Sequence, residues 1–313
     1  MSTKFLKHTL GICKKIKQHQ KSHLIIKALA TIVACLIFLM FIPAFRNLIL
    51  IAVWPKIWRQ VGTIDILMME FTTQSPENVV GQNCTSTVKP TLDLTRRLHS
   101  IHKHENVSEE RLRSPAHRHF LPAMSFPEKQ TILQIYVVLA DSLRRSGVEF
   151  FLESGSLLGA HRHHGFIPWD NDIDIEIHVT DWMSARDALS CIEGYELIVD
   201  PIMHWRFNER KSRYPFVDIF FYTGNDKYIW AITWYARRSL VALKSEVFPL
   251  TTGIFEGIEV PVPKDTEIIL RKLFDYDYCF SRSPKTGKYR SGTTVHCSSL
   301  LYIYSMFHIN TEA

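Results

Sequence analysis

Glu153–Ile177 reads ESGSLLGAHRHHGFIPWDNDIDIEI, and the fold turns on its last residues. Asp172 and Asp174 alternate with Ile173 and Ile175. In a strand, that alternation puts the carboxylates on one face and buries the isoleucines on the other. A Gly-Ser turn, Gly155-Ser156, stands upstream. Two carboxylates on a rigid edge beside such a turn suit a metal-bound phosphate ester. Hard cations such as Mg²⁺ take oxygen ligands, usually one or two protein carboxylates plus substrate phosphates.

The surrounding elements alternate in type. Ser125 and Glu128 predict a capping box with Pro127 in the first turn. Ile132, Ile135, Tyr136, Leu139 and Leu143 then follow helical spacing, and Gly147 ends the run. Strands are expected at Val148–Leu152, Ile173–Val179, Tyr195–Val199 and Phe216–Tyr222, with a short helix from Ser156 and another from about Asp181 to Cys191. Helix, strand, helix, strand, helix, strand gives a mixed α/β domain. Asp218 lies in the apolar run FVDIFFY, where an unpaired acid would cost several kcal/mol to bury (roughly,). A cation shared with Asp172 and Asp174 would offset that cost. A solvent-facing position, or a local partner such as Arg213, is the alternative.

Charge is distributed unevenly. Residues 1–64 hold eight Lys, two Arg and no acid, whereas the rest carries 27 basic and 31 acidic residues. The basic excess belongs to a tail, which argues against a nucleic-acid-binding domain. Ala28–Phe45 has no charged residue and as a helix spans about 27 Å, close to the hydrocarbon core of a bilayer. Seven Lys precede it. The positive-inside rule therefore predicts a single-span type II anchor with a cytosolic N-terminus and a lumenal body. The long basic flank and the long apolar run distinguish it from a cleaved signal peptide. The sequons Asn83-Cys84-Thr85 and Asn106-Val107-Ser108 agree with that orientation. Cys84, Cys191, Cys279 and Cys297 can form disulfides in a lumen, in any of three pairings. The expected segments are a tail (1–27), an anchor (28–45), a polar stem (46–124), a catalytic domain (125–285) and a C-terminal tail (286–313). In the stem, the His-rich stretch 92–119 is expected to be solvated.

The string SLLGAHRHHGFIPWDNDIDI (156–175) resembles the LicD-family motif G-T-L-L-G-x-x-R-x-x-G-x-I-P-W-D-D-D-I-D. YPFVDIF (214–220) is similar to that family's W-x-D-I-F segment, and GIEVPVPKDTEIILRKLFDYDY (257–278) to its V-x-V-P tail. Two positions depart from the pattern: Asn171 replaces an acid, and Asp275-Tyr276-Asp277-Tyr278 replaces Y-G-D-W. The family includes fukutin and fukutin-related protein, which are Golgi type II membrane proteins.

The resemblance implies a nucleotidyltransferase fold with a mixed sheet and flanking helices, and a metal-dependent phosphotransferase. Such an enzyme moves an alcohol phosphate from a CDP-activated donor to a glycan or glycoprotein hydroxyl. Asp172, Asp174 and Asp218 would hold Mg²⁺ or Mn²⁺, with Asp218 either a ligand or the base for the acceptor. Backbone N–H groups near Gly155 and Ser156 would cradle a phosphate, and Arg162 would neutralise the leaving CMP. His163 and Asp170 complete the expected substrate-side set. Glu176 is expected at its periphery, and Pro168 and Trp169 as fixing the loop. Phosphocholine transfer and an inactive lumenal adaptor are the competing readings. The Golgi membrane is the expected location, with the endoplasmic reticulum as the alternative.

Overall fold

The computed structural model describes Lys27, Thr31 and residues 112–199, 204–210, 212–232, 241–281 and 292–309. The chain divides into two compact units, Met1–Glu70 and Phe71–Ala313. In the first, only Lys27 and Thr31 are described, both helical and exposed. The expected anchor (apart from Thr31), both sequons and most of the stem therefore lie outside the described residues. Among the described residues, no helix is long and apolar enough to cross a membrane.

Among the described residues of the second unit the longest helix, α1 (Phe126–Arg145), starts at the predicted capping box. Glu128 accepts from the Ser125 backbone N–H at 2.7 Å. It ends at Gly147, whose φ of +70° suits glycine. The strand β1 (Phe150–Leu152) leads into α2 (Ser154–Arg162). Then come β2 (Ile173–His178), a 3-10 turn at Val179–Asp181 and α3 (Trp182–Ser190). The chain continues through β3 (Tyr195–Ile198), β4 (His204–Glu209) and β5 (Phe216–Gly224). β6 (Tyr228–Ala231), β7 (Val241–Leu243) and the one-turn helix α4 (Lys244–Val247) follow. A hairpin of β8 (Thr251–Phe255) and β9 (Ile258–Val262) precedes α5 (Thr266–Leu273). β10 (Tyr278–Ser281) pairs with β11 (Thr293–His296).

The main sheet has seven strands in the order β1-β2-β5-β4-β3, with β6 added to β5 and β7 to β6. It is mixed: β2 and β5 run parallel and the other pairings are antiparallel. Ile173, Ile175 and Ile177 of β2 and Val217, Ile219 and Phe221 of β5 are fully buried. Trp205 and Phe207 of β4 extend the same layer, and α1 packs on β4, β5 and α3. The alternation read from the sequence is thus the inside–outside alternation of the sheet.

Two expected boundaries shift. The helix after β1 begins at Ser154, so Gly155-Ser156 forms its first turn and no separate turn precedes it. Residues 292–309, set apart as a tail by sequence, pack back onto the domain. Cys297 forms a disulfide with Cys279, and the Tyr304 hydroxyl donates to the Phe120 carbonyl at 2.7 Å. On the stem side, His117 is buried and bonded to Tyr302 and Ser299, against the expectation of a solvated histidine.

Ile219 lies in the middle of this layer with no exposed surface. Ile219→Ala should lower unfolding free energy by about 2–5 kcal/mol. Urea unfolding measures it, and a loss under about 1 kcal/mol would mean that the layer is not the cooperative core.

Candidate active site

The parallel register of β2 and β5 places Asp174 directly opposite Asp218. The period of two brings Asp172, one residue before β2, to the same side. Oxygen atoms from Asp172, Asp174 and Asp218 lie within 4.8 Å of one another, a spacing that could hold a metal ion. All the donors are carboxylate oxygens, which suits a hard divalent cation. Among the described residues this is the only such group of His, Cys, Asp and Glu side chains.

Close carboxylates repel, and burial penalises their charge. The Asp172 carboxyl is pushed up to about 8, by burial first and then by Asp170 and Asp218. The Asp174 carboxyl is raised well above the usual range, again chiefly by burial, then by Asp172, Glu153, Asp218 and Asp170. A bound cation would reverse both effects.

Helix α2 is fixed to this edge by its first turn. The Ser156 hydroxyl accepts from the Asp174 backbone N–H at 2.8 Å, and the Glu153 N–H donates to the Asp174 carbonyl at 3.1 Å. A Cβ at Gly155 would stand 2.7 Å from an Asp170 carboxylate oxygen, so the helix and the acidic loop can meet here only at glycine. Asp170 hydrogen-bonds Asp172, and burial raises its carboxyl. Asn171 bonds the Tyr214 hydroxyl instead.

The triad therefore gathers Asp172, Asp174 and Asp218, with Gly155, Ser156 and Asp170 adjoining it. Arg162 and His163 lie elsewhere. Arg162 is buried, donates from Nε to His163 Nε2 at 3.2 Å and from a terminal amino group to the Cys297 sulfur at 3.7 Å, and faces the Trp169 ring. Burial lowers its pKa to about 10. No hydrogen bond or ion pair joins it to the triad. His163 packs edge-on to Trp169 and its Nδ1 lies 3.3 Å from the Ser305 carbonyl oxygen. His161 stacks on His308 and His164 on Phe307. The HRHH cluster thus grips the C-terminal segment. Trp169 fixes the loop as expected, its Nε1 donating to the Phe280 carbonyl at 2.9 Å.

Three residues at the site are missed by the sequence reading or placed too far out. His204 and Arg206 of β4 both reach Asp218 Oδ1, at 3.0 and 3.1 Å. They went unnoticed because β4 itself was not predicted. Glu176 has no exposed surface, and neither carboxylate oxygen has a hydrogen-bond partner. Burial, then Glu153, raises its carboxyl well above the usual range. Its position on the aspartate face was readable from the alternation, but its burial was not. A cavity of about 860 Å³ lies between α1 and the β8–β9 hairpin, and none of the triad residues lines it.

Residues 147–265, which contain the triad, α2 and β4, match the family described as LicD/FKTN/FKRP, nucleotidyltransferase domain. That stretch of the chain is similar to the LicD family. An uncharacterized protein of Rickettsia typhi is 32% identical over 177 residues, covering 55% of this chain and 52% of that one. Ribitol 5-phosphate transferase FKRP of Homo sapiens is 27% identical over 141 residues, covering 42% and 28%. Lipopolysaccharide cholinephosphotransferase LicD of Haemophilus influenzae is 53% identical over 44 residues, covering 14% and 17%. This chain spans about half the length of the first of these relatives and less of the others.

The raised carboxyls give a pH dependence of definite sign. Between about pH 4 and about pH 8 the metal-free folded protein keeps a proton on Asp172 that the unfolded chain has released. Its stability therefore falls as pH rises through that window. Mn²⁺ should flatten the slope, and so should Asp172→Asn. Thermal unfolding in chelator across this range tests it, and equal slopes for wild type and Asp172→Asn would refute the shift.

Proposed function

We propose that this protein is a metal-dependent phosphotransferase that moves an alcohol phosphate from a CDP-activated donor to a glycan hydroxyl. One observation carries the reading: Asp172, Asp174 and Asp218 converge within 4.8 Å inside the stretch similar to the LicD family. Those three carboxylates would hold Mg²⁺ or Mn²⁺, which when bound supplies charge neutralisation and Lewis acidity at phosphate oxygens.

The chain's own residues do the positioning. Ser156 and Gly155 lock α2 against the acidic edge, and Asp170 braces Asp172. Fixed geometry and charge stabilisation account for most of the rate in such transfers. Asp218, held from β4 by Arg206 and His204, acts as the third ligand in this scheme. Arg162 and His163 support the loop from behind.

Ribitol phosphate is the proposed cargo, because the similarity to FKRP runs over 141 residues and that to LicD over 44. Phosphocholine is the runner-up. Retention of all three carboxylates argues against an inactive adaptor. The proposed setting is the Golgi lumen, behind a type II anchor at residues 28–45 and a stem. The basic flank of the apolar run, the two sequons and the Cys279–Cys297 disulfide support it.

Full-length protein in detergent, given Mn²⁺ and a glycan acceptor, should release CMP from CDP-ribitol faster than from CDP-choline or CDP-glycerol. Asp172→Ala should cut that rate by about 10²-fold or more. CMP release from none of the three donors, or an undiminished rate in Asp172→Ala, would sink the proposal.

A further inference from the structure

Arg206 is the feature of the site that the reading above leaves without a task. It sits on β4, directly across from Asp218 in the antiparallel register. Its Nε donates to Asp218 Oδ1 at 3.1 Å. Among the described residues the terminal amino groups have no hydrogen-bond or ion-pair partner, so up to four N–H donors remain for something else. Its side chain is 48% exposed, against 9% for Asp218, so it lies on the open side of the carboxylates.

Two further observations set it apart from a simple counter-charge. The guanidinium lies over the Phe216 ring, 4.7 Å from its centroid. Phe216 and Asp218 are two apart on β5 and share a face, so one strand supplies both the ring beneath the guanidinium and its anchor. Stacking and a one-point bond together restrict the side chain before any ligand arrives, which lowers the entropic cost of binding. Secondly, Arg206 is the only Lys or Arg paired with any of Asp170, Asp172, Asp174 or Asp218 among the described residues. Arg162, the arginine that the sequence motif offers, is spent on His163, Trp169 and Cys297.

We infer that Arg206, held by Asp218 and Phe216, is a diphosphate-binding residue that takes the phosphate oxygens of a metal-bound ligand at the rim of the carboxylate site. This rests on the phosphotransferase reading and deepens it. A cation among the three aspartates leaves a nucleoside diphosphate with uncompensated negative charge on its outward side. Arg206 is the fixed positive group there, and its planar fork matches two phosphate oxygens at once, which an ammonium cannot do.

The test uses the full chain in detergent and needs no turnover. Titration calorimetry measures Mn²⁺ alone, then inorganic pyrophosphate on the Mn²⁺-loaded protein. Arg206→Ala should weaken pyrophosphate on the Mn²⁺-saturated protein by about 10- to 100-fold, well beyond its effect on Mn²⁺ affinity. Arg206→Lys should recover only part of the loss. Should Arg206→Ala fail to fold, Arg206→Gln, which keeps a donor toward Asp218, is read in the same way. Unchanged pyrophosphate affinity in the variants, with Mn²⁺ affinity shifted instead, would make Arg206 a counter-charge for Asp218 and overturn the proposal. Absence of pyrophosphate binding by the Mn²⁺-loaded wild type would overturn it as well. CDP is titrated separately. If wild type binds pyrophosphate through Arg206 but not CDP, the cytidine-donor reading fails and the role of Arg206 stands.

Discussion

The parallel pairing of β2 with β5 is the constraint on which the rest depends. A slip of one residue would turn every side chain of a strand to the opposite face. Here such a slip would bury Asp174 among the isoleucines and expose Ile173. Six side chains prevent it: Ile173, Ile175, Ile177, Val217, Ile219 and Phe221, all without exposed surface. Each contributes about 1.5–3 kcal/mol on burial, so together they outweigh the repulsion among three aspartates. The carboxylates are aimed by an apolar layer on the opposite face of the same strands. Repulsion that remains appears as raised carboxyls on Asp172 and Asp174.

Helix α2 divides the sequence motif between two tasks. Its first turn meets the acidic edge through Gly155 and Ser156. Its last turn and the loop after it, His161 to His164, meet the C-terminal segment through stacked rings and a buried arginine. A nine-residue helix is about 13 Å long, enough to place its two ends in different environments. The Phe307 N–H also donates to the Arg162 carbonyl at 2.7 Å, closing a helix end that would otherwise leave an acceptor unused. On the flank, the buried Glu256 at the β8–β9 turn accepts from the Phe166 N–H at 3.1 Å and lies 4.0 Å from Lys129. Gly165 leaves room for that carboxylate, since a Cβ there would come within 2.5 Å of it.

Local patterns made part of this legible. The capping box at Ser125, the helical stripe to Leu143 and the alternation in IDIEI each depend on near neighbours, and each has its counterpart in the fold. Asp218 was recognisable because an acid stands out in FVDIFFY. What stayed hidden depends on pairing across long separations. β4, HWRFNE, does alternate polar and apolar residues from His204 to Asn208 and was overlooked; what its own pattern cannot show is that His204 and Arg206 face Asp218, because that depends on pairing with β5. Arg213, the alternative partner, is near Asp218 in sequence, yet the antiparallel pairing delivers Arg206 instead. Arg162 shows the converse: a charged residue in a motif can be read as a ligand contact when the fold buries it against a disulfide.

Glu176 fixes where along β2 the chemistry can take place. It continues the row of Asp172 and Asp174, about 7 Å further along the strand from Asp174. The carboxylates that could share an ion nevertheless end at Asp174 and Asp218. Glu176 is enclosed, its oxygens unbonded, and burial favours its neutral form. What sets it apart from Asp172 and Asp174 is geometry: its oxygens do not join the group that could share an ion. The candidate metal centre therefore belongs at the outer end of the acidic face, where Asp172 precedes β2 and Arg206 remains half exposed. Substrate bound there would need no channel into the sheet, and the depth of the fold serves to hold that end rigid.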